Sequence, residues 1–139
     1  MIGIDWGERR IGVARSDEAQ ILAQPVATLV RRAGKRVPMR PLLALLHEHS
    51  ATGVVVGLPL TAAGDEGPAA HEARALASAI ARRTNLPAAL WDERFTTARV
   101  LAAVREMGGG TVGRKAELDA LAATLLLQQY LDARRGSAQ

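Results

Sequence analysis

The chain has 139 residues, 48% of them hydrophobic, and no cysteine: one domain with room for a real core, and no disulfide framework, Cys-based zinc site or thiol nucleophile. Its net charge of +4 comes from 18 basic residues, nearly all arginine, against 14 acids, a balance that suits a polyanionic partner without requiring one. No apolar run approaches the roughly 20 residues of a membrane-spanning helix and no charged-then-apolar leader precedes Gly3, so a cytoplasmic, soluble protein with no membrane partner is the expectation.

Residues 1–17, MIGIDWGERRIGVARSD, read as two short strands. Ile2 and Ile4 share one face at period two, and Ile11 and Val13 repeat the pattern after a turn around Gly7. Asp5 ends the first strand on the face opposite the two isoleucines, between Gly3 and Gly7, so little side-chain bulk flanks its carboxylate. The plainer alternative is that Asp5 caps the turn. Residues 19–30 form a third strand, with Pro25 marking an edge or a bulge. Residues 31–36, RRAGKR, are a basic turn. A helix follows, with Pro41 in its first turn and Leu42, Leu45 and Leu46 on its apolar stripe.

Residues 53–57, GVVVG, suit a strand buried on both faces. A loop over residues 58–68 leads into a helix ending near Thr84, and residues 87–91 make a fifth strand that exits at Asp92 and Glu93. Thr96 starts a helix that stops at the glycines of 108–110. The last helix runs from near Lys115 to Arg134. An antiparallel start followed by right-handed crossovers makes a mixed sheet with helices on its faces. The fold class is α/β, with one domain over residues 1–134 and a tail over 135–139.

Three regions place acids at the edges of this scaffold: Asp5, the pair Asp92 and Glu93, and Asp119. The strands ending at Asp5, Gly57 and Trp91 all point to the carboxyl edge of the sheet, where ligands commonly bind. Asp92 and Glu93 face opposite ways on an extended strand, and Glu93 is the one assigned to the site. A solvated strand exit with a local Glu-Arg pair is the alternative. Asp119 lies among Leu118, Ala120, Leu121, Ala122 and Ala123, so its charge is paired, metal-bound or at a helix terminus. Lys115, one turn earlier, could pair with it or contact a phosphate.

Three carboxylates on one rim would bind Mg²⁺ or Mn²⁺. Two such ions can activate a water and stabilise the leaving oxygen in phosphodiester cleavage. Other signals are weaker. The loop at 58–68 matches no phosphate-binding fingerprint, although it precedes a helix N-terminus. His47, His49 and His71 lack ligand spacing, and Ser16 and Ser50 have no base in local view. One Phe, one Tyr and two Trp give no evident stacking platform for single strands.

GIDWGERRIGVARSD, VVVGLPL with a following G-x-E-G loop, DERFTT and LDALAATLLLQQYLD occur in the order seen in the YqgF/RuvX family, which this chain resembles from Met1 to about Asp132. The resemblance implies an RNase H-like five-stranded sheet in the order 3-2-1-4-5, its first three strands antiparallel, flanked by helices. It implies a metal-dependent nuclease, acting in 5′-end maturation of pre-16S ribosomal RNA or, as some members are described, on Holliday junctions. Asp5, Glu93 and Asp119 fall on the family's metal-binding acids, with Mg²⁺ or Mn²⁺ as a two-ion cofactor. Arg9, Arg10, Arg94 and Lys115 fall near the substrate side. The partner is then structured RNA or branched DNA, and a resolvase would also need a two-fold homodimer. Trp6 stands at a variable position and could touch substrate, and the TAAGDEG loop departs from the family's N-x-D-G pattern.

Two other classes compete with a nuclease. A ribosome-assembly or nucleic-acid-binding module would keep the fold without cutting. A sugar-kinase-like phosphotransferase would use the same strand turn for ATP, but such proteins close two domains around the nucleotide.

Overall fold

Five strands form one sheet in the order β3-β2-β1-β4-β5, in a computed structural model that describes residues 1–7, 10–30, 38–60, 63–92 and 115–137, less the side chains of 115–119 and 137. The strands are β1 (Ile2–Asp5), β2 (Arg10–Ser16), β3 (Ala23–Val30), β4 (Val54–Leu58) and β5 (Ala88–Asp92). The pairs β1–β2 and β2–β3 are antiparallel, whereas β1–β4 and β4–β5 are parallel. The described helices are α1 (Met39–Glu48), α2 (Pro68–Thr84) and α3 (Lys115–Ser137). The expected mixed sheet with strand order 3-2-1-4-5 is the one observed.

Period-two alternation splits the core between two faces. Ile2, Ile4, Ile11, Val13, Val54 and Val56 pack with Leu42 and Leu46 of α1 and Ala73, Leu76 and Ile80 of α2. On the opposite face, Ala14 and Val55 pack with Ala123, Leu127 and Leu131 of α3. Burial on both sides explains why β4 is apolar throughout.

A glycine lets α3 come close to the sheet. A Cβ on Gly3 would stand 2.8 Å from Leu127 Cβ and 3.3 Å from the Ala123 carbonyl oxygen, so no larger residue fits without movement. The far end of α3 is fastened by side chains. Gln128 accepts from Ala23 N at 2.8 Å and donates to Ile21 O at 2.8 Å, and Arg135 donates to Ile21 O at 3.0 Å. That anchorage lies at the sheet edge where Ser16 N donates to Met1 O. The Lys115 end of α3 therefore runs towards the other edge, where β1 ends at Asp5.

The fourth and fifth strands each lie one residue later than expected, at Val54–Leu58 and Ala88–Asp92, and two other boundaries also differ. The third strand begins at Ala23 rather than residue 19. The Asp17 carboxylate folds residues 17–22 into a turn, accepting from Ile21 N at 2.7 Å and Leu22 N at 3.1 Å, with Gln20 at φ 57°. Ile21 and Leu22 look like strand residues but stand 46% and 60% exposed. The last helix continues past Arg134 to Ser137.

Pro25 meets both of its expected roles: β3 is an edge strand, and its register with β2 shifts at Val13/Ala14, where Ala14 pairs with Pro25. Pro41 lies in the first turn of α1, which opens at Met39. The basic turn at 31–36 and the helix expected from Thr96 lie outside the described residues.

Candidate functional site

The register around Asp5 defines the site. Asp5 pairs with Gly12 of β2. On its other side, Ile4 pairs with Val56 of β4, so the next residue of β4, Gly57, flanks Asp5 there; Gly57 in turn pairs with Trp91 of β5. Cross-strand neighbours share a face. Because Ile4 packs towards α1 and α2, Asp5 and its two glycine neighbours lie on the α3 face. Asp5 is half-buried, at the carboxyl edge of two parallel strands and without a side chain beside it on either neighbouring strand.

Arg10 belongs to the same face and edge. Ile11 and Val13 pack on the α1–α2 side and Ala14 on the α3 side, so alternation puts Arg10 with Gly12 on the α3 side. It lies two residues beyond Gly12, past the level of Asp5, and is half-buried.

The backbone of α3 brings Asp119 to this edge. Ala123 sits over Gly3. Asp119 is one helical turn, about 6 Å, nearer the helix start, and Asp5 is two residues, about 6.6 Å, further along β1 in the same direction. Lys115 is one turn beyond Asp119. Glu93, Arg9 and Arg94 lie outside the described residues. Asp92 is described and does not join Asp5: it pairs with Leu58, a member of the α1–α2 core, on the opposite face.

Trp6 corrects the sequence reading. It is 8% exposed and packs in the α1–α2 core, with its indole N–H donating to Glu72 Oε2 of α2 at 2.9 Å. A side chain so enclosed offers no surface to a substrate. Trp91 lies on the α3 face, in edge contact with Tyr130 at a centroid distance of 5.7 Å; Arg134 stands 5.6 Å above the Tyr130 ring.

The loop before α2 is occupied by its own charges. Glu66 forms a bridge with Leu60 and accepts from Arg74 at 2.5 and 3.0 Å. The Arg74 hydrogen bond holds the Glu66 carboxyl below its ordinary range. An acid immediately before the first turn makes that helix start less welcoming to a phosphate.

The donor chemistry around Asp5 fits a hard divalent cation. Carboxylate oxygens are its ordinary ligands, and the residues directly across from Asp5 on the neighbouring strands, Gly12 and Gly57, are buried glycines that add no side chain there. Among the described residues no three His, Asp or Glu side chains come together; Glu93 and the Asp119 side chain lie outside them.

Sequence reasoning missed Gly12 and Gly57 as the neighbours of Asp5, and Glu72 as the partner of Trp6. The only local signals were two glycines at strand positions and a glutamate in an otherwise ordinary helix.

The sheet order, with one long helix covering the β1–β2–β3 side, defines an RNase H-like domain. Solved structures with this architecture include Thermus thermophilus RuvC, with a TM-score of 0.59 at 18% identity over 98% of this chain and 97% of that one. Another is the fowlpox virus Holliday junction resolvase, with a TM-score of 0.53 at 13% identity over 96% and 99% of the two chains. At these identities the likeness speaks for the fold. A family profile described as "RuvX: Holliday junction resolvase" matches residues 1–133, and the chain belongs to the RuvX family.

Similar proteins of that family come from Mycolicibacterium smegmatis, 45% identical over 98% of this chain and 82% of that protein, and Chloroflexus aggregans, 38% identical over 97% and 94%. Both carry the name "Putative pre-16S rRNA nuclease".

Proposed function

We propose that this chain is a divalent-metal-dependent endonuclease that hydrolyses phosphodiester bonds of structured RNA, in 5′-end maturation of pre-16S ribosomal RNA. The observation that carries the reading is the position of Asp5 at the carboxyl edge, between Gly12 and Gly57, with the Lys115 end of α3 directed to the same edge. Membership of the RuvX family and the names of relatives at 38–45% identity support a nuclease and favour RNA.

Asp5, Glu93 and Asp119 would hold Mg²⁺ or Mn²⁺. Bound there, two ions would supply an activated water and stabilisation of the leaving oxygen. The support for Glu93 over Asp92 is that Asp92 lies on the α1–α2 face. Arg10, on the Asp5 face, would hold the substrate backbone by its phosphates, with Arg9, Arg94 and Lys115 as its partners. Asp5 contributes charge and position, and its buried glycine neighbours set no side chain directly across from it. No described helix is long and apolar enough to cross a membrane, in keeping with a cytoplasmic place of action.

A second reading, cleavage of branched DNA, is favoured by the family's description. Cutting two strands of a junction symmetrically calls for a two-fold dimer. The discriminating experiment gives the protein a labelled pre-16S 5′-leader RNA and a mobile four-way DNA junction, each with Mg²⁺, Mn²⁺ or EDTA, beside a measurement of its mass in solution. Preferential cutting of the leader by a monomer supports the RNA reading. Paired cuts in the junction by a dimer overturn it in favour of a resolvase. Binding of both without cutting leaves an assembly module.

A further inference from the structure

The positive charge of the chain is concentrated in one stretch. From Ala19 to His47 there is no Asp or Glu, while Arg31, Arg32, Lys35, Arg36 and Arg40 give it +5, against +4 for the whole chain. The fold brings this stretch to the Asp5 edge of the sheet from both sides. Val30, the last residue of β3, pairs with Arg10, which lies just past the level of Asp5. Val30 is 72% exposed, so the surface where the chain leaves the sheet is open to solvent. Further on, α1 runs back towards the start of β4. Ala51 N donates to Leu46 O of its last turn, and Gly53 O accepts from Ile2 N at the edge opposite Asp5. The ten residues of α1 span about 15 Å, so its first turn, with the exposed Arg40, stands towards the Asp5 edge. Residues 31–37 lie outside the described residues, and their charges are read from the sequence.

The described members of this rim are not neutralised by the fold. Arg74 is held by Glu66 and Arg135 by Asp132, whereas neither Arg10 nor Arg40 has an ion pair among the described residues. A short run rich in Arg and Lys is a common form of nucleic-acid patch, and the guanidinium fork matches phosphate geometry. β3 is two strands from β1, about 10 Å, which is the rise of about three nucleotides along one strand of a duplex. We propose that the rim running from Arg10 past Val30 to Arg40 is a nucleic-acid-binding surface. It takes backbone phosphates on the β3 side of Asp5, beginning about three nucleotides from it. The surface binds without metal; the inference rests on the nucleic-acid substrate of the function proposed above.

The test measures binding of a labelled pre-16S 5′-leader RNA in EDTA across a series of salt concentrations. The full chain is compared with Arg40→Ala, Arg31→Ala/Arg32→Ala and Arg31→Lys/Arg32→Lys, and with Arg82→Ala/Arg83→Ala as a control at the far end of α2. Thermal unfolding at the parent's Tm marks each variant as folded. One phosphate contact contributes about 0.7–0.9 to the slope of log K against log salt. Arg40→Ala should lower the slope by about that amount, and Arg31→Ala/Arg32→Ala by about 1.4–1.8. The lysine pair should keep the parent's slope. So should the control, which removes the same charge from exposed residues elsewhere. In cleavage assays the alanine variants of the rim should raise KM while kcat stays put.

Slopes equal to the parent's in both alanine variants of the rim overturn the surface and leave the nuclease reading standing. An equal drop in the Arg82→Ala/Arg83→Ala control overturns it too, because net charge alone would then explain the loss. If the parent binds neither leader RNA nor a four-way DNA junction with any dependence on salt, the nucleic-acid substrate and the surface fall together.

Discussion

Asp5 of β1 stands opposite Gly12 of β2, and Gly57 of β4 flanks it from the other side. A carboxylate at the end of a strand is ordinary, but one flanked by a buried glycine on both neighbouring strands has no Cβ directly across from it. A Cβ at either position would press on the carboxylate and on any ion or phosphate it meets. Gly12→Ala and Gly57→Ala should therefore each lower metal-dependent cleavage about tenfold, the rate cost of roughly 1.4 kcal/mol. Far-UV circular dichroism should remain that of the parent. Unaltered cleavage in both would show that the glycines are incidental.

Gly3 performs a different task on the same face. Its missing side chain lets α3 press on the sheet at Leu127 and Ala123. Gly3→Ala forces those elements apart and should destabilise the fold by about 1–3 kcal/mol, the usual cost of overpacking. Urea unfolding at constant m-value reads that change.

Acid should loosen the turn at residues 17–22. Backbone N–H groups of Ile21 and Leu22 lower the Asp17 pKa, and the Arg74 hydrogen bond lowers that of Glu66. Both groups bind fewer protons in the folded chain than in the unfolded one across the acid range. Their contribution to stability is present above the ordinary carboxylate pKa, about 4. It is lost as pH falls through the lower folded values. Tm should fall as pH is taken from 6 to about 3, and Asp17→Leu, with no carboxylate to titrate, should show a shallower fall from a lower start. Parallel pH profiles for parent and variant would remove Asp17 from the account.

Under the proposed function, Arg10 grips a phosphate beside Asp5. Binding of a non-cleaved substrate in EDTA should weaken with salt, and Arg10→Ala should reduce the slope of log K against log salt by about 0.7–0.9, the release of one counterion. An unchanged slope would mean that Arg10 touches no phosphate.

Much of this arrangement was legible from local pattern. Ile2 and Ile4 gave the β1 face and, by alternation, the face of Asp5. The unbroken valines of β4 announced burial on both sides, and Pro25 announced an edge or a bulge, both of which are present. The relations that escaped notice are those between distant segments. The lateral neighbours of Asp5 depend on strand register, which no single strand encodes. Trp6 next to an acid looks like a substrate contact until Glu72, 66 residues away, is seen to hold it in the core. Ile21 and Leu22 satisfy the pattern of a strand, but the Asp17 side chain offers their N–H groups a nearer acceptor than a neighbouring strand could. Asp92 and Glu93 could be separated only in part, since alternation turns Asp92 away while Glu93 lies outside the described residues.

The central claim is that the Asp5 carboxylate holds the metal with which this chain cuts nucleic acid. Its most direct test compares the full chain with Asp5→Asn, a change of charge at nearly constant shape, on labelled leader RNA and four-way junction in Mg²⁺ and Mn²⁺. Cleavage by the parent that EDTA abolishes, and its loss by at least about 100-fold in a variant that still binds substrate and unfolds at the parent's Tm, is the predicted result. Equal cleavage by parent and variant, or cleavage by the parent that survives EDTA, would contradict it.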